Sequence, residues 1–231
     1  MNSREYNTLA LERRADRIIA LLLCFAVLFA AVSGLDYDCP WYDDYAAYIN
    51  DGIAIADGHY EEQTRLNYFM HPSDMPDEAN DGMLIYVWGY PLVLSLVYSA
   101  AGFDRTDYHS IIFYKLPSVL SLAAAAGILY LLFRRRLSRA SSALLSVYMC
   151  VHPVMLEGAY SIYSDVFFML LSIAAVFLAE RFICSLDEAK PAARCCISGA
   201  ALGLLMLACY ETRLNGITVC ALVLVLHAAH I

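Results

Sequence analysis

Four short constellations hold the residue types that group-transfer chemistry requires. The first is Asp43-Asp44-Tyr45-Ala46-Ala47-Tyr48, followed by Gly52, Gly58 and Tyr60. On a helix, Asp44, Tyr48 and Gly52 share one face at i, i+4 and i+8. A carboxylate on that face can take a proton from an acceptor hydroxyl as a general base, or help bind a divalent cation. Gly52 would leave room for a substrate, and Ile49, Ile53 and Ala56 form an apolar stripe suited to lying along a membrane surface. The competing reading is a solvated acidic loop with Asp43 as a helix N-cap. The second constellation is Gly89-Tyr90-Pro91-Leu92, in which the proline is equally explained as a first-turn device of a helix. The third is Ser164-Asp165, opening an apolar run, where a cap favoured by the helix dipole competes with a functional role. The fourth is Glu211-Thr212-Arg213-Leu214-Asn215-Gly216. A phosphate is the natural anionic partner of such a guanidinium, and an ion pair with Glu211 or Asp165 is the structural alternative. His59 and His71 could serve as bases or metal ligands, but they lack the H-x-x-x-H spacing of a metal site and read equally as loop histidines. His59 stays on the substrate side of the candidate list.

The elements that must position these residues are membrane helices. Hydrophobic residues make up 61% of the 231 positions, against roughly 45–50% in soluble globular chains. They fall into runs of the length a helix needs to cross a hydrocarbon core of about 30 Å. The expected organisation is a cytoplasmic N-terminus over 1–17, a first span over 18–35, an acidic outer loop with juxtamembrane helices over 36–110, and transmembrane helices over 111–231. The runs after the loop are Ile111–Phe133, Ala140–Leu156, Asp165–Ile183, Cys195–Tyr210 and Ile217–Ile231, giving about six spans in an all-α integral membrane bundle. The end of the chain inside an apolar run is expected to mean further spans beyond it. Met83–Phe103 is read as non-crossing, because Trp88-Gly89-Tyr90-Pro91 interrupts it. If it crossed, the Arg134-Arg135-Arg136-Leu137-Ser138-Arg139 turn would lie outside, against the positive-inside rule. With it uncrossed, the basic N-terminus, the 134–139 turn and the 181–194 loop lie inside. The acidic 36–82 loop, with Arg65 its sole basic residue, lies outside with the Tyr160–Asp165 and Glu211–Gly216 turns, so the acidic loop seeks neither nucleic acid nor anionic headgroups. The eight cysteines show no metal-ligand spacing and read as small packing residues.

Taken together and in order, these elements resemble the N-terminal half of GT-C glycosyltransferases, the family of protein mannosyltransferases and lipid A aminoarabinose transferases, especially their family 39 or RgtA-like bacterial relatives. The resemblance runs from about Arg14 to Ile231. It rests on a basic N-terminus, one span, Asp44 and Tyr48 with Gly58 and Tyr60 behind them, then Gly89-Tyr90-Pro91-Leu92, the basic turn, Ser164-Asp165 and Thr212-Arg213-Leu214-Asn215-Gly216. It implies a polyprenyl-phosphate sugar donor, a lipid, glycan or protein acceptor, and chemistry at the outer face of a bacterial plasma membrane. The catalytic acid of the family's first outer loop corresponds to Asp44, with Asp43 next. Tyr48, His59, Tyr90, Asp165 and Arg213 are then the substrate-binding candidates. A divalent cation is the one cofactor left open. The sequence departs from the family where many relatives carry Pro-Pro in place of Trp88-Gly89-Tyr90-Pro91, and where some carry a nearby lysine. The other function class is a non-enzymatic membrane protein, a transporter or an assembly partner. A transporter should carry ionisable residues deep in its spans. Mid-span charges are nearly absent here, which favours interfacial chemistry.

Overall fold

The computed structural model describes residues 3–37, 44–66, 87–102, 108–186 and 192–228, and among them every regular element is helical. Asp43 and His71 lie outside the described residues. Helix α1 (Ser3–Ser33) is followed by α2 (Asp44–Asp57), α3 (Tyr60–Leu66) and α4 (Gly89–Ala101). A 3-10 turn, Tyr108–Ser110, leads into α5 (Ile111–Phe133). Then come α6 (Arg139–Val151), α7 (Pro153–Tyr160), α8 (Ser164–Leu186), α9 (Ala192–Thr212) and α10 (Gly216–Ala228).

Among the described residues four helical stretches are long and apolar enough to cross a membrane: Ala10–Ser33, Ile111–Phe133, Ser164–Ile183 and Cys195–Thr212. The expected tail over 1–17 is helical from Ser3 and continuous with the first of them. The run Ala140–Leu156, expected as one span, is two helices meeting at 52°. The cause is local: Pro153 has no N–H to give α6, and its ring pushes His152 to an extended ψ of 135°. His152 then caps α7, accepting from the Val154 N–H at 3.3 Å. Counted as one crossing, the bent pair raises the candidate spans among the described residues to five. The described part of the sixth expected run, α10, has 13 residues. That is about 20 Å, short of a hydrocarbon core. Helix α4 also has 13 residues, so the described part of Met83–Phe103 is likewise too short to cross.

The core forms where α1 lies along α5, with Val27 and Ala31 enclosed by Val119, Leu122 and Ala126. Gly127 makes that approach possible, since a Cβ there would stand 3.2 Å from the Ala20 carbonyl oxygen. Outward-facing side chains such as Phe25, Phe29, Leu204 and Leu224 remain exposed, as expected of helices solvated by lipid.

Polar groups collect at two opposite ends of the bundle. At one end α1 finishes, α5 and α8 begin, and α2 and α4 cover them. At the other, the turn between α5 and α6 meets the start of α1 and the far part of α8 through Asp16 and Glu180. Single cysteines at positions 57 and 138, in a cysteine-free background, should therefore react with an impermeant maleimide from opposite sides of sealed vesicles. Labelling of both from one side would refute this arrangement.

Candidate functional site

The end built by α2 and α4 gathers five of the seven residues singled out from the sequence. Asp44 opens α2, half-buried in the first turn where the helix dipole favours a carboxylate. One turn on, the hydroxyls of Tyr48 and Ser164 are hydrogen-bonded at 3.0 Å. The Tyr48 ring meets Tyr90 edge-on, with centroids 5.2 Å apart. The Tyr90 and Ser118 hydroxyls are bonded at 3.1 Å, and Ser118 also donates to the Tyr163 carbonyl. Tyr48 and Tyr90 thus bind α2, α4, α5 and α8 to one another, and their hydroxyls face serines rather than the cavity.

Burial pushes the Tyr48 hydroxyl above its ordinary pKa. The Ser164 bond and the Arg213 charge pull it down, and the carboxylates of Asp44 and Asp165 push it up again. Tyr48 thus senses the charges of Asp44, Asp165 and Arg213 together. Arg213 forms an ion pair with Asp165, the pairing expected of its structural alternative. The two side chains are 35% and 62% exposed, and a pair so open to solvent contributes at most about 1 kcal/mol. Exchanging Asp165 for another anion would therefore cost little.

Two parts of the sequence reading change. Gly52 does not face open space: a Cβ there would stand 3.0 Å from Leu94 Cβ and 3.1 Å from the Pro91 carbonyl oxygen, so the glycine serves the close packing of α2 on α4. The stripe expected to lie on a membrane is used in the same way, with Ile49 fully buried and Ile53 packed beside it, while Ala56 is exposed. His59 follows the far end of α2, about 20 Å from Asp44 along the helix. It borders a separate hollow of about 160 Å³ with Asp57 and Glu62. Among the described residues no group of His, Cys, Asp and Glu could hold a metal ion.

The sequence reading missed Lys115. It sits on α5 one turn after the helix begins, with its side chain 2% exposed, and donates to the Asp36 carboxylate at 2.9 Å and the Asp36 carbonyl at 3.0 Å. Asp36 is 61% exposed. Both line a cleft of about 480 Å³ with Tyr45, Leu156, Glu157 and Tyr160. The bent α7 supplies its apolar wall through Pro153 and Leu156. Tyr45 is the residue next to Asp44, so the cleft opens beside the start of α2. The signal in the sequence was a lone lysine inside an apolar run, which is costly unless paired and marks function by default.

Compared with family models, curated proteins and solved structures, the chain matches none.

Proposed function

We propose that the chain is a membrane glycosyltransferase that moves a sugar from a polyprenyl-phosphate donor to an acceptor hydroxyl at the outer face, in the manner of the GT-C enzymes it resembles. The observation that carries this reading is the cleft. An enclosed ammonium, an apolar wall and a carboxylate-bearing helix start meet at one end of a lipid-facing bundle, which suits a ligand that is part phosphate and part hydrocarbon. In the proposed reaction Asp44 takes the acceptor proton as the acceptor oxygen attacks the sugar's anomeric carbon. The bond from that carbon to the phosphate oxygen breaks, and the lipid phosphate departs with its electron pair. Lys115 would hold its charge from within the cleft. Arg213 is a second cation among the described residues of that end.

The positive-inside rule then puts the arginine-rich end in the cytoplasm of a bacterial cell and the cleft outside. Lys115 lies one turn from the end of its span. That position fits interfacial chemistry better than passage through the bilayer.

Arg213 gives a first test. Arg213→Lys keeps the charge but loses the planar fork that grips a phosphate through two parallel bonds. Binding of polyprenyl-phosphate sugar should weaken several-fold while the protein still inserts and binds polyprenol, which lacks the phosphate, as before. Unchanged donor binding would leave Arg213 as the partner of Asp165 alone. Failure of the wild-type protein to prefer the phosphorylated lipid over the polyprenol would remove the glycosyltransferase reading altogether.

A further inference from the structure

The opposite end of the bundle has a different chemistry. Among the described side chains it carries eight arginines against three carboxylates, and two of those carboxylates are already committed. Asp16, 16% exposed, accepts from Arg139 at 2.8 Å, Arg134 at 3.2 Å and the Tyr130 hydroxyl at 3.0 Å. Glu180, 17% exposed, accepts from Arg135 at 2.7 Å on one oxygen and Arg136 at 3.0 Å on the other. These bonds tie α1, the turn between α5 and α6, and α8 together, and they leave an excess of positive charge facing outward. Arg136 is 73% exposed even while paired, and Arg13, Arg14, Arg17 and Arg181 are exposed as well.

The surroundings of these arginines are apolar rather than aqueous. Arg17 is followed directly by exposed Ile18, and then by exposed Leu21 and Leu22, on the lipid-facing surface of α1. Arg181 of α8 and Arg135 of the turn between α5 and α6 lie over the Phe177 ring of α8, at 5.6 and 5.2 Å from its centroid. Phe177 is one turn deeper in the apolar helix than Arg181, and a cation over an aromatic face at that depth marks the level where headgroups meet acyl chains. A soluble phosphate would find the positive charge there but no use for the adjoining apolar surface. A phospholipid would use both at once.

We propose that the arginine-rich end is a docking surface for anionic phospholipid headgroups, centred on Arg17, Arg136 and Arg181, with the acyl chains lying along α1 and α8. The phosphate of each lipid would receive guanidinium N–H groups, and Asp16 and Glu180 would hold the helices that present them in fixed register. The site is independent of the cleft at the other end and of the transfer chemistry proposed there.

The test uses the whole chain purified in a neutral maltoside detergent, with retained lipid read by native mass spectrometry. Dioleoyl phosphatidylglycerol should bind at least about tenfold more tightly than dioleoyl phosphatidylcholine, from the worth of roughly fivefold per arginine at an anionic surface. Changing Arg17, Arg136 and Arg181 together to Gln should weaken phosphatidylglycerol binding by about 10²-fold on the same basis and leave phosphatidylcholine unchanged. Changing the same three to Lys, which keeps the charge and the long apolar stem, should retain phosphatidylglycerol binding within a few-fold and so separates loss of charge from loss of fold. Equal binding of the two lipids, wild-type phosphatidylglycerol binding by the Gln variant, or displacement of the lipid by excess inorganic phosphate would each overturn the proposal.

Discussion

Replacing Lys115 with Met should leave the protein as stable as before, or more so, and weaken donor binding by about 10- to 150-fold, the range expected for losing one hydrogen bond to a charged phosphate. The two halves of that expectation come from the two sides of the Lys115–Asp36 pair. The lysine side chain is almost wholly enclosed while the aspartate is 61% exposed. Removing the lysine therefore strands no buried charge, because Asp36 simply takes on water. Met matches the lysine stem in length, and exchanging a buried ammonium for a well-packed apolar group is often neutral or stabilising. An enclosed ammonium in an apolar span is thus poorly explained as a stabilising element. It is better explained as a group kept for a ligand. The measurement is a thermal melt alongside titration with polyprenyl-phosphate sugar. Asp36→Asn is the companion variant: Lys115 keeps the Asp36 carbonyl and an amide oxygen as partners, and donor binding should stay within a few-fold of wild type. Unchanged donor affinity in Lys115→Met would take the cleft out of the proposed reaction. A protein that no longer inserts would show instead that the pair anchors the start of α5.

The helical architecture was legible in the sequence because it depends on length and apolarity alone. The runs Ile111–Phe133 and Asp165–Ile183 match α5 and the spanning part of α8 almost residue for residue. The break at His152 was not read, although its cause was in plain sight. A proline inside an apolar run is tolerated in membrane helices when neighbouring groups satisfy the freed carbonyls. Pro117 lies inside α5 without ending it, whereas Pro153 begins a new helix capped by His152.

The candidate site was legible in its members and not in its geometry. Asp44, Tyr48, Tyr90, Asp165 and Arg213 come from three helices and the turn before α10, and spacing along one helix cannot show what stands opposite. The i, i+4, i+8 face of Asp44, Tyr48 and Gly52 is real, but α4 and α8 fill most of it, which turns Tyr48 and Gly52 into packing residues. Lys115 escaped notice for the converse reason. Its partner, Asp36, is 79 residues away in sequence, and a single charge in a long apolar run hardly alters the hydropathy of that run.

Asp44→Asn should abolish sugar transfer while leaving insertion and donor binding nearly intact. Position supports this reading, since Asp44 opens α2 and is followed by Tyr45, which lines the cleft together with Lys115. Magnitudes separate a catalytic loss from a structural one. Removing a carboxylate from a helix's first turn costs about 0.3–1 kcal/mol of helix stability, and an asparagine is itself well accommodated at a helix start. Loss of a general base lowers the rate by about 10²–10⁴-fold, equivalent to roughly 3–5 kcal/mol on the transition state. A fall in kcat of that size with donor KM unchanged cannot come from the fraying of one helix turn. The control is Asp43→Asn, which should lose far less, because the proposed reaction puts the reacting carboxylate at 44. Transfer would be followed with radiolabelled polyprenyl-phosphate sugar and a hydroxyl acceptor in proteoliposomes. A dead Asp43 variant beside an active Asp44 variant would move the base by one residue. Near-full transfer by both would show that the start of α2 holds no catalytic group, and the cleft would then need another base, for which Glu157 in its lining is a carboxylate to test.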